Sequence, residues 1–229
     1  MRILLPFFLL AVAAPAGAAE RSFTVTGFDK IRVDGPFKVT LATNVAPFAK
    51  VRGDARALNG VSIDVQGRTL IVRPDRAAWG GYPGDPEKPV EIALGTHDLA
   101  SALVNGSGSL LIDKVRGLKF DLSVAGAGSA DIGRMDVDQL RIGLVGTATS
   151  HVAGKALTLT TSVDGASMLQ AADLSVKDAT ILSSGPAKVE LTATNTAKVT
   201  ARGAANIVLQ GRPACTSRLE GSAGVTGCK

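Results

Sequence analysis

One column of polar residues offers the best prospect for chemistry in this chain. Four residues lie five positions after successive glycines of a repeat: Asp131, His151, Gln170 and Glu190. If the repeats stack, Asp131 and His151 become neighbours, and a histidine beside a carboxylate can serve in acid–base catalysis. Polysaccharide lyases and hydrolases built on β-helices place acidic clusters on such a lateral face. This column has no second file of carboxylates beside it, so we favour a solvated face with one ion pair worth under about 1 kcal/mol.

Other motifs of known chemistry are absent from the sequence. It contains no Walker-type phosphate loop, nucleophile elbow or metal-binding histidine spacing, so we predict no catalytic residue, cofactor or metal. His97 precedes Asp98 at a predicted turn, where a capping role is favoured. Asp121 and Arg141 share an outward column and are expected to form an ion pair across neighbouring repeats. Hydroxyl residues occupy two further outward columns: Ser123, Ser162 and Thr200 in one, Thr160 and Thr180 in the other. Such columns could contact a regular polymer, although threonine is also simply a good exposed strand residue.

A repeat of about twenty residues must position these side chains. Its turn glycines recur at intervals of 20, 20, 19, 20 and 18 residues: Gly106, Gly126, Gly146, Gly165, Gly185 and Gly203. Apolar residues stand at fixed even offsets from each glycine with polar residues between them, which is the alternation of a strand. One repeat cannot bury its apolar face alone, so the sequence predicts an all-β solenoid, a parallel β-helix whose rungs stack about 4.8 Å apart. A β-sandwich is the alternative, but sandwich strands rarely keep one residue count over six turns.

The residues before the repeat are predicted to form short strands. We assign 20–94 to an N-terminal β region packed on the first rung, and 95–213 to the solenoid. The apolar runs on either side of Asp34-Gly35-Pro36 predict a hairpin, and 61–72 predict a second one around Gly67. A helical turn capped by Asp54 is expected between them. A surface loop over 74–89 carries Trp79 and Tyr82, whose rings could stack on sugars, although packing onto the protein body is favoured.

The N-terminus has the pattern of a secretory signal peptide over 1–19. Arg2 is followed by an apolar run and then by small residues, with cleavage expected after Ala18 or Ala19. The apolar run is short for a membrane span, so a cleaved signal is favoured over a retained anchor, and no transmembrane segment is expected in the mature chain. The protein is therefore predicted to be exported, either to the periplasm or to the cell surface or medium.

The net charge of +5 comes from basic residues that look scattered along the sequence. That pattern favours solubility over nucleic-acid binding, and it is compatible with weak attraction to anionic polysaccharide.

Two cysteines near the C-terminus, Cys215 and Cys228, are expected to form a disulfide because exported chains fold under oxidising conditions. On the chain-entropy model the closed loop contributes about 3 kcal/mol. A solenoid exposes unpaired strand edges at both ends, which invites aggregation. We therefore predict that the N-terminal region covers the first rung and that 214–229 form a disulfide-closed cap on the last.

Several short segments occur in an order and spacing that resemble one bacterial family. They are Phe28-Asp29-Lys30-Ile31, Gly53-Asp54, Leu70-Ile71 after Gly67, Asn105-Gly106-Ser107-Gly108 and the closing Gly211-Arg212-Pro213. Over about residues 22–213 the chain resembles the family described as "putative auto-transporter adhesin, head GIN domain", whose function is unknown. The resemblance implies a single-stranded right-handed β-helix with an N-terminal strand region folded against it. It implies no catalytic residues, because none is established in the family.

Three functions remain open at this point. The first is a non-enzymatic binding or adhesion-type module of the cell envelope or surface, with polysaccharide or an envelope protein as partner. The second is a carbohydrate-active enzyme that uses a lateral face of the β-helix. The third is a passive structural component of the envelope.

Overall fold

The computed structural model describes residues 19–75 and 90–229, and within these it leaves the side chains of 55 and 56 undescribed. The predicted signal peptide, apart from Ala19, lies outside the described residues, as do Trp79 and Tyr82. Export and the two possible cleavage sites therefore stay predictions.

Strands make up 75% of the described chain. The N-terminal part contains β1 (Ala19–Phe23), β2 (Lys30–Asp34), β3 (Lys38–Thr43), β4 (Phe48–Gly53), the short helix α1 (Ala55–Asn59), β5 (Val61–Gln66), β6 (Thr69–Pro74) and β7 (Glu91–Thr96). The repeat contains β8 (Ser101–Gly106), β9 (Ser109–Ile112), β10 (Val115–Gly126), β11 (Ser129–Gly146), β12 (Thr149–Gly165), β13 (Met168–Ser184), β14 (Lys188–Gly203) and β15 (Asn206–Gln210). The chain closes with β16 (Ala214–Gly221) and β17 (Gly224–Thr226).

The repeat strands stack as the sequence predicts. Strands β10 to β14 pair in parallel, each with the next along the chain, so that residues one repeat apart lie side by side. The column four places before the turn glycines is buried throughout, and its aliphatic and threonine side chains face the interior: Leu122, Ile142, Thr161, Ile181 and Val199. The predicted β-solenoid of about twenty-residue rungs is confirmed.

One column of the core shrinks toward the C-terminus. Phe120 is fully buried, and the residues in register with it on later rungs become smaller: Leu140, Leu159, Ala179 and Ala197. Cys215 is the last member of this column.

The N-terminal strands extend the stack beyond β8 and β9. Strand β2 pairs in parallel with β6 and β8, and β3 pairs in parallel with β7 and β9. The expected hairpin around Asp34-Gly35-Pro36 is therefore wrong, because β2 and β3 are two sides of one rung. Gly35 turns its corner with a φ of 108° and lies directly above Gly106, which turns the next one with a φ of 102°.

Two other N-terminal predictions are confirmed. Strands β5 and β6 form an antiparallel hairpin around Gly67. The helical turn α1 follows Asp54, whose carbonyl accepts the Leu58 N–H at 2.9 Å. Strand β4 pairs antiparallel with β7, and β1 pairs antiparallel with β4, so these two strands continue the sheet beyond β7.

The last rung is closed covalently. Strands β16 and β17 pair in parallel with β14 and β15, and the predicted disulfide joins Cys215 to Cys228 with their Cα atoms 5.7 Å apart. The C-terminal segment thus forms one more rung of the stack, and its role as a stabilising cap stays a prediction.

A buried hydroxyl inside the solenoid leads to a first prediction. Thr161 lies in the core column between Ile142 and Ile181, and its Oγ1 has no hydrogen-bond partner in the described part of the chain. A buried polar group without a partner costs about 1–3 kcal/mol. Because valine has the same shape, Thr161→Val is expected to raise the free energy of unfolding by about 1 kcal/mol, measured by urea denaturation.

The matched control for this change is Ser183→Ala. Ser183 is also buried, but its Oγ donates a hydrogen bond to the Val163 carbonyl at 3.4 Å, so its loss should bring no gain. If Thr161→Val destabilised the protein as much as Ser183→Ala does, the orphaned hydroxyl would not be a cost to the fold.

Candidate functional site

The predicted polar column lies on a flat lateral sheet, which we call face 1. Face 1 consists of the outward-facing residues of β7, β3, β9, the first parts of β11 to β14, and β15 and β17. The parallel register places the four predicted residues side by side on consecutive rungs: Asp131, His151, Gln170 and Glu190. Their alignment follows directly from the equal length of the repeats.

His151 is the centre of the contacts within this column. Its Nδ1 lies 3.4 Å from Asp131 Oδ2, and its Nε2 lies 3.9 Å from Asp173 Oδ2. The side chains of His151 and Asp131 are 41% and 51% exposed, and that of Asp173 is 78% exposed. Exposed pairs of this kind are screened by water and contribute little. Glu190 contacts Lys188 on its own strand at 2.7 Å and takes no part in the histidine cluster.

The sequence alone missed Asp173. It follows Ala171, where the pairing of β13 with β14 shifts register, so it leaves the regular columns that a strict repeat predicts. The arrangement could accept or donate a proton through His151. However, it stands on an open sheet, and neither of the two best-formed depressions in the described part of the chain includes any member of the column.

The first of these depressions lies at the N-terminal end of face 1, where its cations are largely paired. Lys38, Lys50, Arg52 and Glu91 line it. Glu20 accepts a hydrogen bond from Arg52 Nε at 2.7 Å and contacts Lys50 Nζ at 3.2 Å. Those two cations, Arg52 first, hold the pKa of Glu20 below its usual range. The second depression is lined by residues that include His97, whose carbonyl accepts the Asn44 N–H at 2.9 Å, in keeping with the predicted turn role.

A second lateral sheet, which we call face 2, carries the predicted hydroxyl columns. It consists of the outward-facing residues of β6, β2, β8, the last parts of β10 to β14, and β16. One column reads Asp121, Arg141, Thr160, Thr180, Lys198 and Thr216. The next reads Ser123, Gly143, Ser162, Leu182, Thr200 and Arg218. The hydroxyl ladder therefore exists, but cations, a glycine and a leucine interrupt it.

The contacts on face 2 differ from the expected ones in one place. Asp121 stands beside Arg141 in register, yet its carboxylate contacts Lys119 Nζ of its own strand at 2.9 Å. The predicted ion pair between Asp121 and Arg141 is therefore wrong. Among the described residues Arg141 and Lys198 have no acidic partner, so two cations of this face point freely to solvent.

Hydrogen bonds between rungs fix polar side chains at the margin of face 2. Asp178 accepts hydrogen bonds from Thr196 Oγ1 at 2.5 Å and Asn195 Nδ2 at 2.7 Å, both on the following rung. These bonds, that of Thr196 first, lower the pKa of Asp178. Ser162 donates to Asp164 Oδ2 at 3.0 Å on its own strand. Parts of this surface are thus ordered before any ligand arrives.

Basic side chains also gather at the C-terminal end of the stack. The sequence analysis did not predict this cluster, because the basic residues look scattered along the chain. Over 195–229 the chain carries five basic residues and one acidic residue, Glu220: Lys198, Arg202, Arg212, Arg218 and Lys229. All five are exposed. The signal was present in the local charge count, but only stacking shows that these residues share one end of the molecule.

Among the described residues, no group of three or more histidine, cysteine, aspartate or glutamate side chains could hold a metal ion. In the same part of the chain, no helix combines the length and apolar character needed to cross a membrane.

Three solved structures of similar fold come from Bacteroides and Parabacteroides species. A protein described as a "putative adhesin" from Bacteroides fragilis superposes with a TM-score of 0.82 at 18% identity, over 92% of this chain and 96% of that one. A "putative lipid binding protein" from Parabacteroides distasonis gives a TM-score of 0.70 at 20% identity, with the same coverage. A "putative adhesin" from Parabacteroides merdae gives 0.69 at 20% identity, again over 92% and 96%. Comparison with curated proteins finds no match.

These likenesses, at such low identity, show a shared fold. The family itself is shown by the sequence, because one family model matches most of the chain's length and includes the segments singled out above. The chain belongs to the family described as "Putative auto-transporter adhesin, head GIN domain", which it matches over residues 27–213.

Proposed function

We propose that this protein is an exported, non-enzymatic binding module of the cell envelope or surface, and that face 2 contacts an anionic polysaccharide. The observation that carries the proposal is the combination, on one flat sheet, of free cations and hydroxyls at regular spacing. Arg141 and Lys198 have no acidic partner in the described chain, and Thr160 and Thr180 lie between them in the same column.

The spacing of this column suits a repeating polymer better than a small molecule. Its side chains recur once per rung, about 4.8 Å apart, and neither of the two depressions found among the described residues lies on this sheet. Each exposed contact is weak. A polymer that touches several rungs at once gains from multivalency, because each further contact forms at high effective concentration.

Several independent features support the same reading. The family and the fold are those of proteins described as adhesins. The disulfide fits an oxidising compartment outside the cytoplasm. The best candidate for catalysis, His151 with Asp131, is exposed on an open sheet, whereas active sites usually lie in concave pockets that exclude water.

Binding of the purified mature protein to immobilised acidic and neutral polysaccharides tests the proposal. Arg141→Glu should weaken binding to acidic polysaccharide about tenfold, since it replaces attraction by repulsion on face 2. The matched control is Arg134→Glu, which makes the same change in net charge at an exposed position outside face 2 and should bind like the wild type.

Two results would contradict the proposal. Equal losses in both variants would show that only net charge matters. Turnover of acidic polysaccharide that disappears in Asp131→Asn would instead identify face 1 as the site of an enzyme.

A further inference from the structure

The last rung of the solenoid has an unpaired edge. Within each rung the outward-facing residues donate their backbone N–H to the preceding rung, as Ser129 does to the Gly108 carbonyl at 2.9 Å and Lys188 does to the Ser167 carbonyl at 3.0 Å. Gly224 of the last rung bonds backward in the same way, to the Ala205 carbonyl at 2.9 Å. Backbone groups alternate between the two edges of a strand as side chains alternate between its faces. The inward-facing residues therefore bond forward.

The C-terminus reaches forward only at the start of β16, where the Lys229 N–H donates to the Pro213 carbonyl at 3.1 Å and Cys228 is joined to Cys215. Over residues 216–221, no strand of the described chain pairs with β16 on its forward side. The inward-facing residues Ser217 and Leu219 thus aim their N–H and C=O groups past the end of the stack. Their side chains are also less covered than those of the preceding rung. Leu219 is 40% exposed, whereas Ala201, its neighbour in register, is fully buried. Both the hydrogen bonding and the packing at this end are those of a stack that lacks its next strand.

The charge around this edge is strongly positive. Glu220, the single acidic residue over 195–229, contacts both Arg202 and Arg218 at 3.1 Å. Lys198, Arg212 and Lys229 have no acidic partner among the described residues. On its outward side an incoming strand would lie beside Arg218 and Glu220 of β16, at an end of the stack where five basic residues outnumber this one acidic residue. On its inward side it would meet the half-covered disulfide and Leu219.

We propose that this open edge is a docking site for an extended segment of another protein, which adds itself to β16 as a further strand. Strand addition of this kind takes its affinity from main-chain hydrogen bonds and its specificity from alternate side chains. The charges call for acidic residues at the outward positions, and the half-covered interior calls for small apolar residues at the inward ones. A second copy of this chain fits poorly, because it would bring one basic end against another. The inference rests on the open edge of β16 and not on the proposed role of face 2, although Lys198 and Arg218 belong to both surfaces. The N-methylated peptide described below separates pairing with the edge from charge attraction to the face.

The probe is a labelled, N-acetylated peptide of the length of β16, 8 residues, in which glutamate alternates with valine and alanine. Fluorescence polarisation with the full mature protein should give saturable binding. The same peptide with its edge-facing amides N-methylated keeps the charge but cannot pair, and it should bind at least tenfold more weakly. A version with lysine in place of glutamate should not bind.

Protein variants test the same edge from the other side. Ser217→Pro removes an N–H that points away from β14, and proline is tolerated on edge strands where that group faces solvent. It should reduce peptide binding at least tenfold, while its matched control, Ser217→Ala, keeps the N–H and the affinity. Arg218→Glu should weaken binding about tenfold, and Arg134→Glu, with the same charge change elsewhere, should not.

The outcomes separate cleanly. A lower melting temperature for Ser217→Pro than for Ser217→Ala would show that the proline unfolds the last rung. In that case the test of the proposal is the wild-type protein, which should bind the parent peptide more tightly than the N-methylated peptide. Absence of binding, or equal binding of those two peptides, overturns the proposal. Dimers in sedimentation equilibrium that disappear in Ser217→Pro would also overturn it, since the edge would then belong to a second copy of the chain.

Discussion

Gly154→Ala is expected to lower the free energy of unfolding by about 3 kcal/mol, from backbone strain together with a steric clash. A Cβ at this position would lie 2.2 Å from the Met135 carbonyl oxygen and 2.5 Å from the Met135 nitrogen. Gly154 also has a φ of 124°, a conformation that residues with a side chain rarely adopt. Both clashing atoms belong to the backbone of the adjacent rung, so the strain can be relieved only by separating two paired strands.

The matched control is a glycine on the same solenoid with open space above it. At Gly143 an added Cβ would meet only Ser123 Oγ, at 3.8 Å, so Gly143→Ala should change stability by less than about 0.5 kcal/mol. Urea denaturation followed by circular dichroism measures both variants. Equal stability of the two would mean that the backbone around Gly154 relaxes without cost, and that close stacking there does not constrain the sequence.

Gly154 also shows what regular spacing can and cannot reveal. The turn glycines were predictable because they recur at nearly equal intervals and because apolar residues keep fixed offsets from them. Gly154 stands outside that series, at a point where the pairing of β12 with both of its neighbours shifts register. Such irregularities arise where three-dimensional packing changes the residue count of a rung, and a periodic pattern carries no signal for them.

The N-terminal error has a similar origin. Asp34-Gly35-Pro36 is a good turn sequence, and a turn between two apolar runs fits a hairpin as well as the corner of a rung. The choice depends on the pairing of Val33 with Val104 and of Leu41 with Ile112, which are about seventy residues away in the chain. Local chemistry alone does not distinguish these two arrangements.

On the two candidate surfaces, the strand register could be predicted from the sequence but the contacts between side chains could not. Register could be predicted, so the neighbours Asp131 and His151, and Thr160 and Thr180, are where the sequence places them. Side-chain contacts could not be predicted, because a carboxylate on an exposed sheet can pair with any of several nearby cations. Asp121 thus pairs with Lys119 of its own strand.

Removal of the disulfide is the second change with a large expected effect. Cys215→Ser combined with Cys228→Ser should destabilise the last rung by about 3 kcal/mol, the chain-entropy value for a loop of this size, given the separation of 13 residues. The effect should be severe here because β16 has few buried side chains: among its residues only Cys215 is as much as half-buried. In a solenoid each rung is held only by its neighbours, so an end rung that loses its crosslink can fray while the rest stays folded.

Fraying of this rung has a consequence for solubility. It would uncover β14, whose inward-facing Ala197, Val199 and Ala201 are almost fully buried beneath it, and exposed apolar edges promote association. Hydrogen exchange should therefore accelerate in β14 to β17 and not in β10 to β12, and sedimentation should show larger species. Reduction of the wild type should reproduce both effects without any substitution. An unchanged melting temperature together with unchanged monodispersity would show that strand pairing with β14 holds the rung on its own, so that the crosslink does not serve as the cap.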